Sequence, residues 1–262
     1  MTAAPDFRHR AVAALARARS TASLPEAYFG QESFVSAKEI LALARAAGVG
    51  EGTRVLDLCC GVSGPGSLIA RSTRCLMFGV DSSPSALALG RARAVPGSRF
   101  VAARVPTLPF TTTFDVVLLI ETMLAFADKP RLVDEVARLL VRGGRFAFTF
   151  EEGPPLSAAE RASIPGGDTV WLIELVAMRE VLERAGLVVR SLADHTAEHA
   201  AFAGRLLAAF ASDGAAIAAA LGGTNLDSLL AAHARWTEWL GEARVRKLAV
   251  VCDRMEPPSR ED

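Results

Sequence analysis

The chain has 262 residues, 51% of them hydrophobic, enough for one large core or two small ones. Its 29 basic and 29 acidic residues cancel to a formal net charge of zero, which argues against nucleic acid or an anionic membrane as partner and for a small neutral or mixed-charge molecule. No run approaches the ~20 apolar residues of a membrane span, and the N-terminal MTAAPDFRHRAVAALARARS is too charged for a signal-peptide core, so the expected location is cytoplasmic. Cys59, Cys60, Cys75 and Cys252 have no CxxC spacing and read as buried reduced thiols, with no metal site expected.

In chain order, residues 6–19 repeat Ala, Leu and Arg at helical spacing, the proline- and glycine-bearing LPEAYFGQE (Leu24 to Glu32) interrupts, and a second helix is predicted from Ser36 to Ala47. Residues 1–48 are thus an expected N-terminal helical lid. Alternating units follow: strand Arg54 to Cys59, helix Gly66 to Ser72, strand Cys75 to Asp81, helix Pro84 to Ala94, and strands Arg99 to Ala102 and Phe114 to Glu121. A helix from Lys129 to Leu140 and a strand from Gly144 to Phe150 come next. After Glu151 the pattern loosens, then helix Val176 to Ala185 and strand Leu187 to Leu192 return to the sheet, with a last strand from Arg246 to Cys252. Apolar strands separated by helices predict an α/β fold whose sheet is mostly parallel and covered on both faces. The expected core is 49–193 with 242–255, the Ala-rich stretch 194–241 an added cap, and 256–262 a disordered tail.

The most informative segment is RVLDLCCGVSGPG (Arg54 to Gly66), followed by FGVDSSP (Phe78 to Pro84). An apolar strand ends in an acid, a glycine-rich turn opens a helix, and a second strand ends in Asp81. Nucleotide-binding α/β folds hold a ribose between such elements: the turn lets backbone approach the ligand, and the second acid accepts from the ribose hydroxyls. A dinucleotide fingerprint needs a middle glycine, and here the frame Gly61, Ser63, Gly66 has serine there, which argues against a nicotinamide-dependent oxidoreductase. Asp57, just before the turn, would repel a pyrophosphate but suits a ligand with a cationic near end, such as S-adenosylmethionine.

These residues resemble the class I S-adenosylmethionine-dependent methyltransferases. Further matches are VDSSP at Val80 to Pro84, LPF at Leu108 to Phe110, FDVVLLIET at Phe114 to Thr122 and LLVRGGRFAFT at Leu139 to Thr149, five motifs in the family's order. The Gly64-Pro65 pair looks more like the branch that methylates sterols, tocopherols and prenyl diphosphates. The resemblance implies a Rossmann-like, doubly wound sheet of seven strands with the lid in front and the cap inserted before the last strand. It places Gly61 and its neighbour Cys59 against the cofactor's methionine and ribose parts and Asp81 with Ser82 on the ribose, while Asp57 is expected to order the turn and the cofactor's amino end, and backbone near Arg104 and Val105 to read the adenine. Arg104 stands where the family often has an acid, and arginine cannot accept a hydrogen bond.

Glu121 is expected at the cofactor or the reacting centre, as a carbocation stabiliser, an amine-orienting group, or a base if burial raises its pKa. His195 and His199 follow the sixth strand and are candidate bases, and Tyr28 of the lid suits a cationic sulfonium. The expected reaction is methyl transfer to a small, apolar, natural-product-like acceptor, with carbon slightly favoured over nitrogen or oxygen. The competing expectation is a non-catalytic protein of this fold that binds a ligand or partner. A homodimer is compatible with either.

Overall fold

The computed structural model describes residues 5–24, 29 and 34–255. Tyr28 and the tail from residue 256 lie outside the described residues. Two helices, α1 (Pro5–Ala22) and α2 (Ala37–Ala46), precede β1 (Arg54–Leu58), α3 (Gly64–Thr73), β2 (Leu76–Asp81), α4 (Pro84–Arg93), β3 (Arg99–Ala102) and β4 (Phe114–Leu119). They are followed by α5 (Lys129–Leu139), β5 (Leu140–Glu152), α6 (Ala158–Ser163), α7 (Leu175–Arg184) and β6 (Leu187–Asp194). Three cap helices, α8 (Thr196–Ser212), α9 (Gly214–Leu221) and α10 (Gly223–Gly241), lead to β7 (Arg246–Arg254).

The seven strands are ordered β3-β2-β1-β4-β5-β7-β6, with β7 antiparallel to both neighbours and the other pairings parallel. Each parallel pair needs a crossover, and the helices that supply them bury apolar faces on the sheet. On one face Leu132, Val133 and Val136 of α5 and Met178 and Leu182 of α7 pack on Leu56, Val117, Phe146 and Phe148. On the other, Ile40 and Leu43 of α2 and Ile69 and Ala70 of α3 pack on Val55, Val116, Leu118 and Ala147.

Helix α1 does not stand alone as a lid. Its Ala18 and Ala22 share one apolar cluster with Phe202, Leu206 and Phe210 of α8 and Ile217 of α9. A fourth cluster joins Trp239 of α10 to Leu156, Ile164, Val170, Leu172 and Val245, with Trp236 edge-on to Trp239 at 5.4 Å. The tryptophan pair therefore packs α10 against the segment that follows β5 and the residue before β7. The stretch after Glu151 holds one short helix, α6, started by a capping box between Ser157 and Glu160. Among the described residues no single helix is long and apolar enough to cross a membrane; α8 and α9 reach that length only together and meet at 76°.

Candidate active site

The turn after β1 departs sharply from strand geometry. Cys59, Gly61 and Ser63 all take left-handed backbone (φ 55°, 52° and 57°), a conformation that costs roughly 1–2 kcal/mol for a residue with a Cβ. Hydrogen bonds hold it: Cys60 N–H donates to the Val80 carbonyl (2.9 Å) and Ser63 N–H to the Cys60 carbonyl (2.7 Å). Gly61 N–H donates to Asp81 Oδ2 (2.9 Å), while Asp81 Oδ1 accepts from Ser83 N–H (2.8 Å). Asp81 thus ties the turn to the end of β2, and its carboxylate oxygens keep further lone pairs for a ligand's hydroxyls. A Cβ added at Gly61 would meet nothing within 4 Å, so the backbone there faces open space.

Beneath the turn, a Cβ at Gly66 would come 2.7 Å from Asp57 Oδ2, so the glycine is what lets α3 sit over that carboxylate. Asp57 is buried, and its Oδ2 has no hydrogen-bond partner. Burial, with Asp81 adding to it, pushes its carboxyl up to about 7. Burial first and Asp81 second push the Cys59 thiol up to about 12, so it remains a thiol at neutral pH. Ser82 and Arg104 are exposed and Val105 half-buried beside the end of β3, where Ala103 N–H donates to the Asp81 carbonyl (3.1 Å) and Thr107 N–H to the Arg104 carbonyl (3.0 Å).

Glu121 closes the site from β4. The strand stops at Leu119 rather than continuing to Glu121, because Glu121 turns left-handed (φ 60°) and its N–H donates to Thr149 Oγ1 of β5 (2.7 Å). The Thr149 hydroxyl donates back to Glu121 Oε1 (3.1 Å), and Lys247 Nζ of β7 donates to the same oxygen (2.7 Å). Lys247 also donates to Glu151 Oε1, so one buried ammonium serves two carboxylates. Burial alone would raise the Glu121 carboxyl, but Lys247, with His199 behind it, more than offsets this and holds it below its usual value. Burial likewise favours neutral Lys247, and Glu121 with Glu151 reverses that, holding it above the ordinary lysine value. Glu121 is therefore ionised at neutral pH, which suits an electrostatic role and removes the raised pKa on which a base role depended.

Above this group stand two histidines from the start of α8 and one acid from α2. Glu39 Oε2 accepts from Ser36 N–H (2.7 Å), completing a capping box, and lies 3.2 Å from His199 Nε2. Glu39 Oε1 lies 3.7 Å from His195 Nδ1. Burial raises the Glu39 carboxyl, and the His199 contact more than offsets it, so Glu39 sits below its usual value. Glu39, His195 and His199 line two spaces at once. One is a cavity of about 10 Å³ shared with Glu121, Thr149 and Lys247; the other is a chamber of about 800 Å³ between α2, α8 and the chain just after α1.

The structure thus brings Asp57, Cys59, Gly61 and Asp81 together at one place, and Glu121 with His195 at an adjoining one. Lys247, Thr149, Glu151 and Glu39 were missed from sequence. Lys247 had a signal, a single lysine opening an apolar strand; Glu39 was hidden by its ordinary place in a helix start. Among the described residues no group of three or more His, Cys, Asp or Glu side chains is placed to hold a metal ion.

Residues 55–144, which run from β1 into β5 and include the turn, Asp81 and Glu121, match the family described as methyltransferase domain. This part of the chain is similar to methyltransferase domains. The chain is 35% identical over 100 residues to a phthiotriol/phenolphthiotriol dimycocerosates methyltransferase of Mycobacterium leprae, and 35% identical over 102 residues to a fatty-acid O-methyltransferase of Mycolicibacterium smegmatis. These matches cover 37% and 38% of this chain, and each spans only 37% of the relative's own length. The fold is also that of mycolic acid cyclopropane synthase CmaA1 complexed with SAH, with a TM-score of 0.78 at 13% identity over 95% of both chains. The cofactor of the methyltransferase domain is S-adenosylmethionine. The turn fits it: bare backbone at Gly61, acceptor capacity on Asp81 and an unpartnered carboxylate oxygen on Asp57 suit hydroxyls and a cationic group.

Proposed function

We propose that the protein methylates a small, largely apolar, natural-product-like or lipid-like acceptor. The observation that carries this reading is Asp81 bonded to Gly61 N–H beside the open face of the turn, within the matched methyltransferase domain. Bound there, S-adenosylmethionine supplies a methyl group on a positively charged sulfur. The protein's share is then orientation, water exclusion and charge placement, and positioning alone is worth roughly 7–11 kcal/mol. Glu121, ionised at the C-terminal end of β4, sets a fixed negative charge near the reacting centre. The sequence resemblance favours carbon as the acceptor atom, whereas the histidines beside Glu39 favour an acceptor that must lose a proton, and we adopt the latter. Four free cysteines support a reducing, cytoplasmic setting.

Calorimetric titration with S-adenosylmethionine and S-adenosylhomocysteine tests the reading. Micromolar binding of either is the expected result. A folded protein that binds neither would overturn it in favour of a non-catalytic ligand- or partner-binding role.

A further inference from the structure

The 800 Å³ chamber falls within the range of small-molecule sites, and its lining includes none of Gly61, Asp81 or Glu121. It is thus separate from the cofactor turn. Its walls carry Leu24 after α1, Phe34 and Leu41 on the α2 side and Phe202 on α8, an apolar sleeve. At its floor stand Glu39, His195 and His199, which also line the small cavity against Glu121, so a molecule that fills the chamber presents its inner end next to the reacting centre. Lys38, Glu198 and Arg205 are exposed along the sleeve, whereas Glu39 is at the floor with Glu121 and Lys247 behind it.

We propose that this chamber takes an elongated apolar alcohol as the methyl acceptor, with His195 as the base that accepts the hydroxyl proton and Glu39 as the carboxylate that positions the imidazole. The proposal rests on the methyltransferase reading and names its acceptor class. Three observations select this chemistry. Glu39 at the floor repels a carboxylate, Lys247 behind it being already bonded to Glu121 and Glu151, and Glu39 holds an amine in its protonated form, which has no lone pair to attack; a neutral hydroxyl suffers neither penalty. A hydroxyl must lose its proton as it is methylated, and a ring nitrogen is the group suited to take it. Of the two histidines, His195 is the one a ligand can reach, with its side chain 25% exposed against 4% for His199. The 3.7 Å from His195 Nδ1 to Glu39 is longer than a hydrogen bond, as is common for catalytic pairs before substrate binds. In the step, the hydroxyl oxygen bonds the methyl carbon, the methyl–sulfur bond breaks with its electron pair left on sulfur, and the hydroxyl proton passes to His195 and then to water.

The test uses chain-matched probes, 1-decanol, decanoate and decylamine, titrated calorimetrically into the full-length protein saturated with S-adenosylhomocysteine. Decanol is expected to bind at least tenfold tighter than decanoate, and Ala42→Trp, which fills the chamber from α2, to abolish decanol binding with S-adenosylhomocysteine affinity kept. Decanoate binding as well as decanol, no decanol binding, or unchanged decanol affinity in Ala42→Trp each overturns the acceptor class. Loss of S-adenosylhomocysteine binding in the wild type overturns the methyltransferase reading itself. With S-adenosylmethionine, decyl methyl ether is expected by mass spectrometry, falling at least 100-fold in rate in His195→Gln and at least tenfold in Glu39→Gln, decanol affinity being kept in both. Bound decanol that gives no ether, an equal rate in His195→Gln, or a Glu39→Gln variant that loses affinity and rate together overturns the base assignment.

Discussion

At the scale of single residues, the buried charges beside Glu121 are held in balance by Lys247, which is 3% exposed and bonded to two carboxylates. Removing one partner of such a group strands the others in low dielectric, so Lys247→Met is expected to cost about 3–5 kcal/mol in a urea titration. Lys247→Met combined with Glu121→Gln is expected to recover part of that; a double variant as unstable as the single would show that Glu121 is not the stranded charge. Asp57 makes a different prediction. Its folded pKa, about 7, lies above the unfolded value, so between roughly pH 4 and pH 7 the folded state binds the extra proton. Stability from this group is therefore full at low pH and lost as pH rises to about 7, by at most about 4 kcal/mol. Asp57→Asn removes the dependence. The difference in stability between variant and wild type should grow in the variant's favour from pH 5 to pH 8, and a pH-independent difference would exclude the raised pKa.

At the scale of elements, the sequence pattern resolves most of the sheet because each strand is an apolar run bounded by glycine, proline or an acid. It misplaces the end of β4 for a reason no periodicity carries: Glu121 gives its N–H to a threonine on the neighbouring strand. It misses α6 because a six-residue helix is too short to show a period, although the Ser157 and Glu160 box that starts it was legible. Helix α2, predicted from its spacing, begins with the same kind of box, Ser36 with Glu39 three residues on. What spacing alone could not show is that Glu39 also reaches α8, 160 positions away, because such contacts are made by the fold rather than by the helix. The two jobs separate by mutation. Ser36→Ala removes only the cap and should cost about 1 kcal/mol in thermal or urea unfolding. Glu39→Ala removes the cap's other half and the His199 contact together, and should cost more; equal costs would mean that the His199 contact contributes no stability.

At the scale of the whole molecule, α1 and the cap helices behave in packing as one body seated on another. The seven-stranded order was legible from the family-like succession of motifs, but the union of α1 with α8 and α9 was not, since Ala- and Leu-rich helices carry no mark of which neighbour they choose. The chamber lies between that body and α2, which packs on the sheet, whereas the cofactor turn belongs to the sheet alone. Phe210 is fully buried at the centre of the α1/α8/α9 cluster, edge-on to His233 of α10 at 4.8 Å. Truncating a buried phenylalanine removes both its transfer energy and the packing around it, typically about 3–5 kcal/mol. If the two bodies open separately, Phe210→Ala should speed amide hydrogen exchange in α1, α8, α9 and α10 while β1, β4 and β5 keep their protection. The affinity for S-adenosylhomocysteine should then stay within about twofold, because Gly61 and Asp81 lie outside the loosened cluster. Exchange that accelerates equally in β1, β4 and β5 would instead make the molecule a single cooperative unit, with chamber and cofactor turn stabilised by the same contacts.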